Sequence, residues 1–485
     1  MSLEIEYRIG ESWEAGAAPD IVDDTNPSDV RDVLACYRLA APEQVRRAMN
    51  AAEKGAVLWR GTSALSRAAV LSKAAQILRG DRDDVARGIS LENGKTLAEA
   101  NIEVEKSADF LDFYAATARM PQGGIIADGR PGTRAMILVE PIGIVAMITP
   151  WNDPMLTPAR KLGPALISGN AVILKPARET PLAACRLVHA LVEAGLPAGV
   201  LNLLIADHAS FDEIVIGDRR LAAMTFTGST EVGLGLSRKL AGRNVRLQTE
   251  MGGKNASVVL ADADLDLVVT TLLGASFGQA GQRCTATSRV IVEASVHDSL
   301  VEKLITAVRA LKMGAGIDPQ TKMGPVVSRR HQKEVVGHIE RARVSGARIV
   351  LGGGVPQDEA LSHGCFVEPT IVTGITSDMP IWKEEVFGPV LAVRAVASFE
   401  DAVAAVNDSP YGLSAALFTA SLRQAQRFID AADAGQVSIN LPTSGWDVHQ
   451  PFGGFKDSGS PFKEQGLEGL RFYTRIKTAA IRFDW

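Results

Sequence analysis

Five short apolar runs, "IGIVAMI" (142–148), "AVILK" (171–175), "VLNLL" (200–204), "AAMTFT" (222–227) and "VRLQTE" (245–250), alternate with stretches of helical periodicity near 155–167, 181–194, 208–217 and 230–241. Apolar runs separated by amphipathic helices bury both of their faces as a parallel sheet with helices on each side, so the pattern predicts a doubly wound α/β fold. A second series follows, "ASVVL" (256–260), "SRVIVE" (288–293), "GPVLAVRAV" (388–396), "SAALFTA" (414–420) and "QVSIN" (436–440), and predicts a second parallel-sheet domain. The break falls at "EMGGKN" (250–255), where Gly252 and Gly253 permit backbone conformations that other residues resist. Upstream, residues 42–118 carry apolar residues at three-to-four spacing with charges opposite, as expected of a helical layer over the first sheet.

Two pieces fit neither core. Residues 120–140 read as a hairpin, and "FYTRIKTAAIRF" (472–483) alternates like a strand with no evident partner. Unclaimed strands of this sort often pair across a subunit interface. The expected division is therefore a first α/β domain from 1–119 and 141–250, a second from 251–440, and a small β oligomerisation arm from 120–140 and 465–485, with 441–464 leading from the second domain to the arm.

A chain of 485 residues exceeds what one core supports. Its 51 basic and 56 acidic side chains are interspersed, which argues against nucleic acid and anionic membrane surfaces as partners. Cys36, Cys185, Cys284 and Cys365 are far apart, with no CxxC pair and no nearby histidine ladder, so neither a metal site nor a disulfide framework is expected. The N-terminus "MSLEIEYRIGESWEAG" has acids where a signal peptide needs a basic end and an apolar run, and no stretch approaches the roughly 18 apolar residues of a membrane span. A cytoplasmic protein is expected. The usual nucleotide signature GxGxxG is absent; "ENGKT" ends like a phosphate loop, but Ile89 stands where its first glycine belongs. HExxH is also absent, which leaves a zinc-protease reading without an anchor.

Four segments stand out: "TPWNDP" (149–154), "ILKPARETP" (173–181), "FTGSTEVG" (226–233) with "LQTEMGGKN" (247–255), and "GQRC" (281–284). A nucleophilic thiol acts as thiolate and wants an electropositive, partly open setting, and the small neighbours in "QAGQRCTATS" leave room for a substrate to reach Cys284. Thiolate attack on a carbonyl creates an oxyanion that needs preplaced donors, which the Asn152 side-chain amide can supply. Glu250, before two glycines, is a candidate base to activate water. Gly228 and Ser229 precede a helix whose N-terminus can meet a pyrophosphate, with Ser229 as N-cap.

In this order and spacing, with "KEEVFGPV" (383–390) and "PFGGFKDSG" (451–459), the segments resemble the aldehyde dehydrogenase superfamily across essentially the whole chain. The resemblance implies that fold, and NAD(P)-dependent oxidation of an aldehyde to an acid through a thiohemiacetal and a thioester on Cys284. It implies that Asn152 acts with the backbone N–H of Cys284, that Glu250 activates the hydrolytic water and that Glu464, in "FKEQG", relays its proton. It further implies that Trp151 lies near the pyrophosphate, that Lys175 binds the adenosine ribose, and that Glu385 and Phe387 hold the nicotinamide ribose and ring. A homo-oligomer, dimer or tetramer, is implied as well.

The chain departs from the family pattern at three places. NAD-preferring relatives carry a glutamate three residues after the lysine of "KPxExTP", to bind a ribose 2′-hydroxyl; here that position is Arg178, which with Lys175 could bind a 2′-phosphate, so NADP is expected ahead of NAD. The usually aromatic residue after the asparagine is Asp153. Arg160 stands where succinate-semialdehyde dehydrogenases carry a carboxylate-binding arginine, but their second arginine is replaced by Gly278. Arg160 points to an acidic ω-oxo aldehyde, whereas tunnel residues Trp446 and Asp447 with Asp153 favour a hydroxylated, amino or zwitterionic one; the alternative is that Asp153 simply neutralises Arg160. "QTEMGGKN" with "GQRCTATSR" also looks like α-ketoglutarate-semialdehyde dehydrogenases. Two other readings remain: a CoA-acylating relative, a group that typically lacks the base Glu250 supplies, and a cofactor-binding structural protein without turnover, against which Cys284, Asn152 and Glu250 together argue.

Overall fold

The computed structural model describes residues 3–483. Buried apolar side chains fall into two clusters, one running from Ile5 to Met251 and joined by Phe472 and Tyr473, the other from Ala256 to Ala434. Each cluster surrounds a seven-stranded sheet. In the first, the strands lie in the order Arg246–Glu250, Leu221–Thr227, Ile144–Ile148, Ala171–Lys175, Leu201–Leu203, Glu6–Ile9, Ser12–Ala15. The first five are parallel, and Val172, Ile173 and Leu174 are fully buried, as a strand covered on both faces requires. Helices Pro42–Gly61, Ala64–Gly80, Arg82–Asn93 and Leu97–Thr117 form the layer expected over 42–118.

The second sheet has the order Arg348–Leu351, Thr370–Thr373, Val390–Val396, Arg289–Glu293, Ala256–Val259, Ser414–Phe418, Gln436–Ile439, parallel except for the antiparallel edge strand Arg348–Leu351. Its first strand in sequence, Ala256–Val259, starts six residues after Glu250, on the far side of the Gly252-Gly253 crossing.

Three features lay outside the sequence reading. The C-terminal strand Thr474–Arg482 has its partner within the same chain: it pairs antiparallel with Thr133–Pro141, which also pairs with Gly123–Ile126. Its partner is more than 300 residues away, so no local pattern could reveal it. The N-terminal segment adds the hairpin Glu6–Ile9 and Ser12–Ala15 to the edge of the first sheet, turning at Gly10 with φ 60°. The stretch 208–217 is a one-turn helix followed by a wider π-type turn at Asp212–Ile216. No helix among the described residues is long and apolar enough to cross a membrane.

Candidate active site

The first sheet reverses its winding between Ile144–Ile148 and Leu221–Thr227: the chain passes from the former outward through Ala171–Lys175 and Leu201–Leu203, then returns to its other side. Loops leaving two such neighbouring carboxyl ends diverge and open a crevice, the place where doubly wound sheets hold ligands. One loop is residues 149–154; the other is Gly228 with Ser229, the N-cap of helix Thr230–Leu240, whose hydroxyl accepts from the Val232 N–H at 3.5 Å. The second sheet faces this crevice with its amino ends, because the turn carrying Cys284 immediately precedes strand Arg289–Glu293.

A pocket of about 340 Å³ lies between them, lined by Trp151, Asn152, Asp153, Arg160, Gly228, Ser229, Glu250, Cys284, Glu385 and Phe387 among others. Ten of the sequence candidates thus converge. Lys175, Arg178, Glu464, Trp446 and Asp447 are outside this lining. Lys175 ends strand Ala171–Lys175 and is 4% exposed; burial, then the charge of Arg178, lowers its pKa to about 8. The Arg178 carbonyl accepts from the Tyr37 hydroxyl at 2.8 Å, which anchors that turn. Asp447 is exposed and paired with Lys106 at 3.0 Å, so its charge is spent on the surface of helix Leu97–Thr117 rather than in a tunnel. Trp446 is half-buried in the same loop.

The turn before Cys284 has Gln279, Ala280 and Gly281 at φ 51°, 52° and 71°, three successive residues in left-handed backbone, of which only the third is glycine. Such positions cost about 1–3 kcal/mol each for other residues and persist only when the surroundings enforce them. Here Glu99 accepts the Gln279 N–H at 2.7 Å, Gln282 Oε1 accepts the Val327 N–H at 2.9 Å, and Asn255 donates to the Cys284 carbonyl at 2.7 Å. Burial pushes the Cys284 thiol up to about 12, and Arg160 offsets only part of it. The electropositive setting expected from the sequence is therefore outweighed by desolvation, and the chain by itself favours the thiol.

Asn152, 6% exposed, donates from Nδ2 to the Gln282 carbonyl at 3.1 Å, which lays its amide against the cysteine turn. Glu250 ends strand Arg246–Glu250; both carboxylate oxygens are buried without a hydrogen-bond partner among the described residues. Burial and then the charge of Glu464 raise its pKa well above the usual range, against Arg160, Lys161 and Lys463. A Cβ on Gly453, in "PFGG", would stand 2.5 Å from Glu250 Oε1, so that glycine makes room for the carboxylate.

Glu464 lies behind the lining, paired with Lys161 and, at 2.8 Å, with Arg160 Nε. Burial acts to raise its pKa, but Lys161 and Arg160 outweigh it and hold the carboxylate charged. Asp153 does not neutralise Arg160: its partner is Lys95 at 3.2 Å, and Gln279 Nε2 donates to it at 3.0 Å. Arg160 instead has Glu464, and its guanidinium stacks over Phe452 at 4.9 Å.

Glu385 accepts the Gly253 N–H at 2.9 Å, and a Cβ on Gly252 would meet its Oε2 at 2.0 Å. Burial raises the Glu385 carboxyl to about 7, with Gly253 and Lys254 opposing. Phe387, at φ 53°, sets its ring edge-on to Trp151 at 5.4 Å. Sequence reasoning missed His331, on helix Arg329–Val344, which lines the pocket, packs on Trp151 at 5.3 Å and lies with Nε2 2.8 Å from the Phe387 carbonyl. "SRRHQKE" reads as an ordinary amphipathic helix, so only the packing reveals it.

Two wound sheets meeting at a crevice lined by a cysteine, an amide and an unpartnered carboxylate suit an enzyme that works through a covalent bond to cysteine. The Aldehyde dehydrogenase family model matches residues 13–479, and the chain belongs to that family. It is 38% identical to the 2,5-dioxopentanoate dehydrogenase of Saccharolobus solfataricus, over 97% of this chain and 98% of that one. It is 39% identical to the α-ketoglutarate semialdehyde dehydrogenase of Haloferax volcanii, with the same coverage. Betaine aldehyde dehydrogenase from Staphylococcus aureus, solved in complex with NAD+, superposes with a TM-score of 0.95 at 32% identity, covering 98% of this chain and 95% of that one. The protein is an NAD(P)-dependent aldehyde dehydrogenase.

Proposed function

We propose that this enzyme oxidises a carboxylate-bearing semialdehyde of the α-ketoglutarate semialdehyde type, with NADP preferred to NAD. The observation that carries the substrate class is Arg160, which lines the pocket with Cys284 while it and Lys161 share a single carboxylate, Glu464. The Arg160 guanidinium stays charged in the pocket wall beside Cys284, and a cation there suits an acidic substrate. The names of the relatives from S. solfataricus and H. volcanii support the same class.

In this reading Glu250, as carboxylate, takes the proton of Cys284, and the sulfur bonds to the aldehyde carbon. The oxygen then carries the electron pair of the broken C=O π bond, and the Asn152 amide and the Cys284 N–H donate to it. When bound, NADP or NAD supplies the acceptor for the hydride of the resulting thiohemiacetal, which becomes a thioester. Glu250 then passes the thiol proton to Glu464 and, a carboxylate again, takes a proton from water as the water oxygen attacks the thioester; the C–S bond breaks, the acid leaves and the Cys284 thiolate is restored. Glu464 accepts each proton from Glu250 only in passing, because Lys161 and Arg160 favour its charged form, and releases it to solvent. The Ser229 helix end and Trp151 hold the pyrophosphate, Glu385 and Phe387 the nicotinamide riboside. Residues 1–119 and 141–250 bind the cofactor and 251–440 supply the nucleophile. The sheet of Gly123–Ile126, Thr133–Pro141 and Thr474–Arg482 serves as an oligomerisation arm in a cytoplasmic dimer or tetramer.

Lys175 and Arg178 supply the NADP preference, as two cations at one strand end. Because Lys175 titrates near pH 8 and pairs with a phosphate only when protonated, NADP affinity should fall relative to NAD as pH rises through 8. Reduced-cofactor absorbance over ω-carboxylic, aromatic, aliphatic and amino aldehydes tests the assignment. Arg160→Leu should lower kcat for all aldehydes through Cys284 and Glu464 but raise KM for the acidic ones alone; an equal change of KM for acidic and neutral aldehydes would overturn the substrate class.

A further inference from the structure

The "ENGKT" turn, which matched no phosphate loop, is buried against the active site. Asn93 and Lys95 are 1% and 2% exposed. The Asn93 amide donates to the Trp151 carbonyl at 2.9 Å. Lys95 Nζ donates to the Asn152 carbonyl at 2.8 Å and to Asp153 at 3.2 Å, and pairs with Glu103. The other Glu103 oxygen accepts the N–H groups of Met155 and Leu156 at 2.8 and 3.1 Å. One turn of chain and the helix after it, Leu97–Thr117, thereby hold residues 151, 152, 153, 155 and 156. On that helix Glu99 also holds the Gln279 N–H, at the start of the cysteine turn.

The turn has no freedom to drift. A Cβ on Gly324 would lie 1.9 Å from the Gly94 carbonyl oxygen, and one on Gly316 would lie 2.2 Å from that of Lys95, so backbone of the second half of the chain is pressed onto it. Burial alone would lower the Lys95 pKa, but Glu103 and Asp153 outweigh it, and the ammonium stays charged.

We propose that Asn93, Lys95, Glu99 and Glu103 are positioning residues for the reaction: they lock the Asn152 loop and the Cys284 turn to each other, so that two donors from different sheets converge on one oxyanion. The proposal rests on the reading of Asn152 as an oxyanion donor. Loss of a single such donor typically costs about 10²–10³ in rate, and a misplacement of about 1 Å costs nearly as much.

The test is a set of double-mutant cycles on the full-length enzyme, reading kcat/KM for the aldehyde, cofactor affinity by calorimetry and Tm. Glu103→Gln and Asn93→Ala are the mild variants; Lys95→Met with Glu103→Met removes both charges together, so neither is left buried and unpaired. Each folded variant should bind NADP as the parent does, lose about ten- to a hundredfold in kcat/KM, and lose little more when Asn152→Ala is added, because both changes act on one donor. Parental kcat/KM in Glu103→Gln and Asn93→Ala overturns the proposal. So do losses that multiply with that of Asn152→Ala. If the charge-free double variant fails to fold, the two mild variants decide by the same criteria. Full activity in Asn152→Ala alone overturns the oxyanion reading itself and the bracket with it, whereas an impaired Asn152→Ala with multiplying losses removes the bracket only.

Discussion

At Cys284 burial favours the thiol, whereas attack on an aldehyde requires the thiolate. With its pKa pushed up to about 12, the thiolate fraction in the cofactor-free enzyme grows about tenfold for each pH unit between 7 and 9. Alkylation by iodoacetamide should follow that slope and vanish in Cys284→Ala; a rate flat over this range would mean the thiolate is already formed. Glu250 is raised for the same physical reason, a carboxylate whose two oxygens have lost water and gained no partner. Raising a base's pKa leaves more of it protonated at low pH, so turnover should rise with pH along an acid limb displaced above the ordinary carboxylate range. Glu250→Gln should retain hydride transfer only if thiol deprotonation has another route. If it does, rapid mixing will show a single burst of reduced cofactor and steady-state turnover reduced by about 10²-fold or more.

The elements that carry these side chains were legible to different degrees. Ile144–Ile148, Ala171–Lys175 and Leu221–Thr227 follow the apolar runs closely, and Ser229 caps its helix as the sequence suggests. The left-handed turn Gln279–Gly281 was invisible, because only Gly281 announces it and Gln279 is held there by Glu99, 180 residues away. Gly281 is also where two loops meet: a Cβ there would be 2.2 Å from the Gly388 carbonyl oxygen, next to Phe387. Backbone cannot yield as a side-chain tip can, so Gly281→Ala should lower stability by about 2 kcal/mol or more, seen as a fall in Tm, and should cut kcat together with cofactor affinity. An enzyme with unchanged Tm would contradict the tight approach of these loops.

Across the molecule the three-stranded arm projects apolar side chains outward: Ile125 is 69% and Ile476 74% exposed. Isolated sheets of this size need a covered face to be stable. If the arm holds subunits together, Ile125→Glu with Ile476→Glu should shift the sedimentation of the enzyme to a smaller species while leaving the fold of each chain intact. An unchanged species would assign the arm another role.

The sequence by itself determined the two wound sheets and singled out Cys284, Asn152 and Glu250 as candidates, which the fold brings to one pocket, because apolar periodicity and short motifs are local and survive in one dimension. Only the tertiary structure decided the charge pairing. Sequence reading set Asp153 against Arg160, but Lys95 takes Asp153 and Glu464 takes Arg160, from segments 58 and 304 residues away. It likewise found the C-terminal strand's partner within the chain and brought His331 into the pocket wall beside Trp151 and Phe387. Ion pairs and strand partners depend on which backbones meet in space. A buried charge takes the opposite charge that packing brings within a few ångströms, not the one nearest in the chain.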